Sequence, residues 1–497
     1  MSGFGQLLRA EWTKLRTVPG WVGGVLAAAA VIVGLGLLPG MTGSCGQHGP
    51  GSECIPPVGP GGEQVTDRFF FVHRPLAGDG SITVRVTRLT GLLPAHPDEP
   101  AGTRSGVAPW AKAGLIVKDG TRPGSAYAAV MVTGSHGVRM QYDYTHDVAG
   151  SPGPVSASAP RWLRLTRSGD TVTAAESADG TAWTTVGSAR LAGLPATVQV
   201  GLFATSPQYA ESVHESAMSG AYGGPTQVTA VFDHVTGDGT WTGEAVGEVA
   251  GLPAGEVEQA GGRFTVTGSG DIAPAVSGAA GGGTTVTQTL VGTFAGLIAV
   301  IVVAALFVTA EYRRGLIRTT LAATPRRGRV LAAKAVVVGS VAFGAGLAGA
   351  AVVVTLGQRV LRGNGVYVFP ATALTEVRLV VGTAALLAVT AVLALAVGAV
   401  VRRSAATVAA ALVVIVLPYL LAMTILPTGA AQWLLRVTPA AAFAIQQSAL
   451  RYPQVSNLYT PSDGYFPLAP WAGLAVLGAW AALALGLALV LFRGRDV

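Results

Sequence analysis

Long apolar runs alternate along this chain with one stretch of a quite different pattern. Six segments, approximately 21–38, 290–310, 330–356, 379–401, 405–426 and 471–492, are long and apolar enough to cross a bilayer, which takes about 20 residues. Pro418 inside the fifth predicts a kink rather than a break, because neighbouring helices re-satisfy the freed carbonyl. Residues 39–289, between the first two segments, follow another rule. Short β-prone runs such as SITVRVTRL (81–89), AKAGLIVK (111–118), AYAAVMVT (126–133), GVRMQYDY (137–144), RWLRLTR (161–167), TVTAAES (171–177) and TVQVGLFAT (197–205) alternate apolar and polar positions. Turn signals such as Gly78-Asp79-Gly80 and Asp179-Gly180 separate them, which predicts an antiparallel β-sandwich. Residues 236–285 carry fewer strand signals, and their Gly-rich end reads as a tether. Near the start, Phe4, Leu7, Leu8, Trp12 and Leu15 fall at helical spacing among Arg9, Lys14 and Arg16. That predicts a helix in the membrane interface, apolar face in lipid and basic stems reaching water.

The expected fold class is therefore a polytopic α-helical membrane protein with six transmembrane helices and an inserted all-β extracellular domain, a jelly-roll or β-sandwich. The expected divisions are 1–20 (cytoplasmic interfacial helix), 21–38 (first transmembrane helix), 39–64 (extracellular linker), 65–235 (sandwich), 236–289 (tether) and 290–497 (five further transmembrane helices).

Composition agrees with the pattern. Half of the 497 residues are hydrophobic and only 12% are charged, about half the usual share of roughly 25%, and mean hydropathy is +0.50. The net charge of +7 suits an anionic partner, but positive-inside loops give the same balance. Arginine outnumbers lysine 29 to 4, so arginine by itself carries little functional weight.

The charge is concentrated in AEYRRGLIRTTLAATPRRGRVLAAK (310–334), which holds seven basic residues against the single acid Glu311. Arg9, Lys14 and Arg16 precede the first span, Arg402 and Arg403 separate the fourth and fifth, and Arg493 and Arg495 follow the sixth. These groups share one side if all six segments cross, although Arg359, Arg362 and Arg378 lie on the other. Both termini are predicted cytoplasmic in a plasma-membrane protein, with 39–289 extracellular. The first span, with an apolar core longer than the usual 7–15 residues of a signal peptide, reads as a retained helix. Cys45 and Cys54 sit close together in a Gly/Pro-rich segment on the oxidising side, which favours a local disulfide over two free thiols.

Several chemistries are absent from the sequence. A P-loop needs Gly-Lys followed by Ser or Thr, but Lys14, Lys112, Lys118 and Lys334 are followed by Leu, Ala, Asp and Ala. The chain has no P-loop of its own. The spans hold almost no ionisable residue except Lys334, near enough to an end to snorkel, which argues against an ion-coupled carrier. Tyr312 is the one aromatic residue among the basic cluster, too few for a nucleic-acid stacking platform. The scattered His73, His136 and His146 have no metal-ligand spacing. Instead, Thr324-Pro325 gives a helix start, so 310–334 reads as a helix end, a corner and a second helix.

Glu311, Gly315, Leu321, Pro325 and Lys334, with Arg326-Arg327 after the proline, resemble the loop after the second span of ABC-2 type transporter permeases. AEWTKLRT (10–17) with the first span resembles the opening of actinobacterial members. The likeness covers the spans and their cytoplasmic links, about half the chain. It implies a permease subunit, homodimeric or paired with another permease, that docks separate ABC ATP-binding subunits. ATP and Mg would be held there, with no cofactor in this chain and no nucleic-acid partner. The docking element would comprise Glu311, Arg314, Gly315, Arg318, Thr324, Pro325, Arg326 and Arg327. TPAAAFAIQQSAL (438–450) resembles the external re-entrant or surface helices of that family.

APWAKAGLIVK (108–118), RWLRLTRSGDTV (161–172), SADGTAW (177–183) and VGLFATS (200–206) resemble concanavalin A-like jelly-roll modules appended to some β-xylosidases. Trp110, Tyr142, Tyr144 and Trp183 are candidate glycan contacts, although Trp in such strands more often packs a core. Asp143 and Asp147 are a weak match to a glycosidase carboxylate pair. The favoured reading is an ABC exporter subunit. The alternative is a membrane-anchored glycan-binding or sensory protein without transport activity, and an ectoenzyme acting on glycans stands behind both.

Overall fold

The computed structural model describes residues 3–42, 56–96, 102–215, 218–237, 239–247, 255–278, 283–313, 315 and 327–494. Cys45 and Cys54 lie outside them. A helical bundle carries a two-layer β domain, inserted after its second helix.

Ten α-helices are described: α1 Gly3–Thr17, α2 Pro19–Thr42, α3 Thr293–Arg313, α4 Arg327–Val352, α5 Gln358–Gly363, α6 Ala373–Val401, α7 Ser404–Ile415, α8 Leu417–Thr424, α9 Thr428–Val437 and α10 Pro470–Gly494. A π-helical stretch, Val353–Gly357, joins α4 to α5. Five spans (Pro19–Pro39, Val286–Arg313, Arg327–Gly363, Ala373–Val401 and Pro470–Leu491) are long and apolar enough to cross a membrane, and α7 with α8 makes a sixth, bent by 40°. The bend falls at Val416, two residues before Pro418, where the proline's missing N–H and its ring interrupt the ladder.

The helices pack closely because small residues let backbones approach. Fully buried Ile32 of α2 fits against Gly292 and Gly296 at the start of α3 and against Gly349 of α4. A Cβ on Gly296 would lie 2.4 Å from the Ile32 side chain. The segment from the 438–450 stretch, Pro439–Gln446, is a 3-10 wedge buried along its whole length, not a surface helix. Gly382 and Gly473 receive it, since a Cβ there would meet Ile445 at 2.3 Å and the Ala441 carbonyl at 2.1 Å. Gln446 Nε2 donates to Thr293 Oγ1 (3.1 Å) and Thr383 Oγ1 (3.0 Å), tying the wedge to α3 and α6. This polar knot joins residues too far apart in sequence to be read as one group.

The β domain is a sandwich of antiparallel sheets. One runs Thr184–Arg190, Thr171–Ser177, Arg161–Ser168, Gly80–Pro94, Gln227–Asp233, Arg263–Gly268 and Glu256–Ala260, with Thr103–Ser105 beside Gly80–Pro94. The other runs Thr242–Val246, Phe69–Ala77, Thr197–Thr205, Lys112–Lys118, Tyr127–Thr133, Val138–Tyr142 and His146–Ala149. Alternation builds the core: Ile82, Val84 and Val86 face inward with Val228, Ala230 and Phe232. The expected tether, 236–289, is corrected in part, because Thr242–Val246, Glu256–Ala260 and Arg263–Gly268 belong to these sheets. RFTVTG (263–268) does alternate, with Phe264 and Val266 in the core, but glycines on either side obscured it.

The strand Lys112–Lys118 is buried on both faces. Ala113, Leu115 and Val117 face the opposite sheet, while Lys112 and Lys118 face the pair Val65–Asp67 and Ile272–Pro274, where the chain comes into and leaves the domain. Lys118 Nζ meets Asp67 at 2.8 Å and Lys112 Nζ meets Asp271 at 2.6 Å. Burial lowers the Lys118 pKa against the pull of Asp67, so the pair must compensate a large desolvation cost. Tyr144 Oη and the Gly124 N–H also donate to Asp67 Oδ2, each at 2.8 Å. Lys118→Met should lower the stability of the purified full-length protein by about 3–5 kcal/mol, because Asp67 is left buried and unpaired. Lys118→Met with Asp67→Leu should recover at least half of that loss, read as the melting of the near-ultraviolet signal.

Candidate functional site

The basic loop leaves α3 and returns as α4. Its α3 end is closed by Gly315, at φ +68°, whose N–H reaches the Tyr312 carbonyl at 3.2 Å. A left-handed glycine is a common way to stop a helix. Arg327 is the first residue of α4. Arg314, Arg318, Thr324, Pro325 and Arg326 lie outside the described residues.

Glu311 pairs with no neighbour along its own helix among the described residues. It belongs to a closed ring of four ion pairs in which carboxylates and ammonium groups alternate. Lys14 Nζ meets Glu11 Oε1 at 3.0 Å and Glu311 Oε1 at 2.9 Å, and Lys334 Nζ meets Glu311 Oε1 at 2.6 Å and Glu11 Oε2 at 2.8 Å. The ring carries no net charge. It joins α3 and α4, the two helices that flank the loop, to α1 near the start of the chain.

Burial makes the ring consequential. Glu11 is 1% exposed and Lys334 is 2% exposed, so Lys334 does not snorkel to water as its place near a span end suggested. The Phe307 ring lies 5.0 Å from its ammonium group, adding a cation–π contact. Half-exposed Lys14 is pulled down by burial, but its hydrogen bonds to Glu311 and Glu11 outweigh this and raise its pKa above the ordinary 10.5. Its stabilising contribution is therefore complete below that ordinary value and is lost only as pH climbs through the raised one.

The ring also reorients α1. Leu8, Glu11 and Leu15, at i, i+3 and i+7, turn toward the protein, with Leu15 in the helical core and Leu8 packed against it. Trp12 stays 48% exposed. The expected apolar face in lipid is thus split, because Glu11 needs its lysines more than Leu8 and Leu15 need lipid. Nearby, the Arg402 guanidinium lies 5.3 Å from the Tyr312 ring, and Thr309 Oγ1 is 2.8 Å from Ser404 Oγ, so the turn between α6 and α7 also rests on the end of α3. The cluster is an ion-paired contact among three helices, and among the described residues no group of His, Cys, Asp and Glu is placed to hold a metal.

The structure does not gather the aromatic candidates on the sandwich. Tyr144 is 1% exposed, its hydroxyl bonded within the Asp67–Lys118 group. Trp110 is buried beneath His136, with ring centroids 3.8 Å apart. Tyr142 stacks on His146 at 4.3 Å, and Trp183 lies beneath Arg164 at 3.7 Å. Asp147 is engaged by Arg139 and Gln141. Asp143 occupies a turn, accepts the Tyr127 N–H at 3.4 Å, and has its pKa raised by burial.

Glu11 and Lys14 were missed as site residues because their partners are remote. One signal was available: lysine is scarce, yet Lys14 lies beside an acid one turn away and Lys334 sits in an apolar span.

Residues 173–497 match the family described as ABC-2 family transporter protein. No curated protein matches the sequence. Solved structures that align include a functionally unknown protein from Saccharomyces cerevisiae (16% identity, TM-score 0.19, 27% of this chain and 62% of that one). A GH43 protein mutant, BlXynB from Bacillus licheniformis, aligns at 13% identity and TM-score 0.18, over 27% of this chain and 24% of that one. Scytalido-glutamic peptidase with a transition state analog inhibitor aligns at 10% identity and TM-score 0.25, over 41% of this chain and 98% of that one. The chain thus spans less than two thirds of the length of the first two. At these scores the likenesses bear on neither fold class nor function.

The alternating ring makes a specific demand on substitutions. Lys334→Met alone should lower the melting temperature of the detergent-solubilised protein, because two buried carboxylates lose a shared cation. Exchanging one pair, Glu311→Lys with Lys334→Glu, should fail to restore it, since a lysine at 311 would face Lys14 and a carboxylate at 334 would face Glu11. Only exchange at all four positions should recover stability, measured by fluorescence-detected size-exclusion after heating.

Proposed function

The chain belongs to the ABC-2 family of transporter proteins, and from that premise we propose that it is the membrane-spanning subunit of an exporter driven by ATP hydrolysed in a separate subunit. Family membership supports a multi-pass permease of an ABC transporter. The rest of the reading is ours: both termini cytoplasmic, the sandwich extracellular and of jelly-roll class, and two permease chains, identical or different, forming the path.

The observation that carries the proposal is the ring of Glu11, Lys14, Glu311 and Lys334 at the root of the basic loop. An ATP-binding subunit pressing on the loop needs a stiff connection to the spans, or the stroke is absorbed locally. The loop's two flanking helices share one buried ring with α1, and α1 leads through Val18 directly into α2. Three spans therefore start from one fixed point. In this proposal Glu311 and Gly315 set the end of α3, and Arg314, Arg318, Thr324, Pro325, Arg326 and Arg327 meet the partner.

Affinity purification of the tagged protein from its native membranes should bring down an ABC ATP-binding subunit, identified by mass spectrometry. Arg326→Glu with Arg327→Glu should abolish that association while the protein still inserts and elutes as a single species. Full retention of the ATPase by this variant would overturn the docking assignment. Absence of any ATPase from the wild-type complex would overturn the energy source.

A further inference from the structure

Arg359, Arg362 and Arg378 stand at the end of the bundle that carries the sandwich, opposite the basic loop. The chain leaving the sandwich marks that side: the Thr284 N–H donates to the Tyr367 carbonyl and the Phe369 N–H to the Thr284 carbonyl, each at 2.8 Å. Positive charge beside a span is ordinarily concentrated at the other end. The docking proposal gives these three arginines no role.

The local chemistry leaves their charge uncompensated. The π-helical stretch Val353–Gly357 leads into α5, where Gln358 and Leu361 are buried while Arg359, Val360 and Arg362 are exposed. Gln358 stands between the charges. Its Nε2 donates to Glu376 Oε1 at 2.9 Å, and its Oε1 accepts from Arg362 Nη2 at 3.0 Å. The carboxylate is thus reached through an amide, and no ion pair joins Glu376 to an arginine among the described residues. Arg378 Nη2 donates to the Gln447 carbonyl. Arg359 makes no hydrogen bond or ion pair among the described residues. Three arginines against one glutamate leave this corner positive.

Apolar surface adjoins the charge. Leu356 and Val360, at i and i+4, are exposed on the face that Arg359 shares. The Gln358–Glu376 bond brings α5 beside the start of α6, where exposed Leu374, Val377 and Val381 form a stripe at i, i+3 and i+7. Leu374 is 84% exposed and Val377 60%. Both segments belong to spans, so these side chains meet lipid tails while arginines at the span end reach the headgroups.

Charge and surface together select the occupant. A soluble anion would satisfy the guanidinium groups and make no use of the apolar stripes. A zwitterionic lipid would cover the stripes but bring its own ammonium group to a corner already positive. An anionic phospholipid uses both features, and a guanidinium group matches the paired oxygens of a phosphate. We infer that the corner between α5 and α6 holds an anionic phospholipid in the leaflet on the sandwich side. Its phosphate meets Arg359 and Arg362, and its acyl chains run along Leu356, Val360 and the Leu374–Val377 stripe. The lipid is a resident of the corner, not cargo. The inference needs only that the spans cross a membrane, so it stands apart from the energy source and the docking assignment.

Photolabelling of the full-length protein in phosphatidylcholine nanodiscs tests it. The probes are phosphatidylglycerol and phosphatidylcholine carrying a diazirine at the same position of one acyl chain, with adducts mapped by mass spectrometry of peptides. Labelling within 353–381 should favour the phosphatidylglycerol probe by about tenfold or more, and Arg359→Gln with Arg362→Gln should remove that preference. Arg359→Gln alone breaks no contact within the protein, so it should melt as wild type and still lower the preference by about threefold or more. Labelling beside the basic loop, within 327–334, should be unchanged by either variant. Equal labelling by the two probes, or a preference that survives both variants, would overturn the inference. So would a preference abolished by millimolar glycerol phosphate in the buffer, which would make the corner a site for a soluble anion.

Discussion

The helical part of this protein is organised around a ring of four buried charges at the root of its basic loop. Each carboxylate touches two ammonium groups and each ammonium group two carboxylates, at 2.6 to 3.0 Å. Four charges taken from water carry a desolvation cost that any single pair would struggle to offset. Closing the ring gives each charge two opposite neighbours and leaves no net charge. The consequence is positional, because α1, α3 and α4 are all held at one point and no member can leave without stranding the others.

Lysine use across the chain follows the same constraint. The composition favours arginine 29 to 4, yet all four lysines are ion-paired, two in the ring and one each with Asp67 and Asp271 in the sandwich. A compact ammonium group fits where two carboxylates converge or where a backbone carbonyl completes the shell, as Ser125 does for Lys118 and Ile272 for Lys112. A planar guanidinium demands a wider, forked partner. The two sandwich lysines clamp the incoming and outgoing strands to the sheet that carries Lys112–Lys118.

Much of the architecture was legible. The spans announce themselves because about 20 apolar residues have few other uses, and Pro418 announced the bend. Alternation disclosed strands of the sandwich as far as residue 205. The strands beyond were hidden because glycines punctuate them, so Phe264 and Val266 looked isolated until pairing with Gln227–Asp233 placed them in the core. The candidate site was half legible. Glu311, Gly315 and Lys334 were visible as spacing around a corner, but the ring was not, because Glu11 and Lys14 reach partners about three hundred residues away. Local pattern reports what a residue does to its own helix and is silent on a charge whose partners come from other helices.

One element connects the distant features. α3 carries Glu311 in the ring at one end and Thr293 in the Gln446 knot at the other, about 27 Å apart at 1.5 Å per residue. Just before it, Thr287 Oγ1 donates to the Gln446 carbonyl at 2.6 Å, and Thr284 bridges Val368 beyond α5. Upstream, the strand Ile272–Pro274 is clamped into the sandwich, and Val276 packs with Val455 in the loop before α10. Asn457 and Tyr465 of that loop both donate to the Ser277 carbonyl, at 2.8 and 3.3 Å. A helix held at both ends by hydrogen bonds and ion pairs moves as a unit. Contacts among the described residues therefore run from the loop end of α3 to the buried wedge and, through the loop before α10, to the segment that leaves the sandwich.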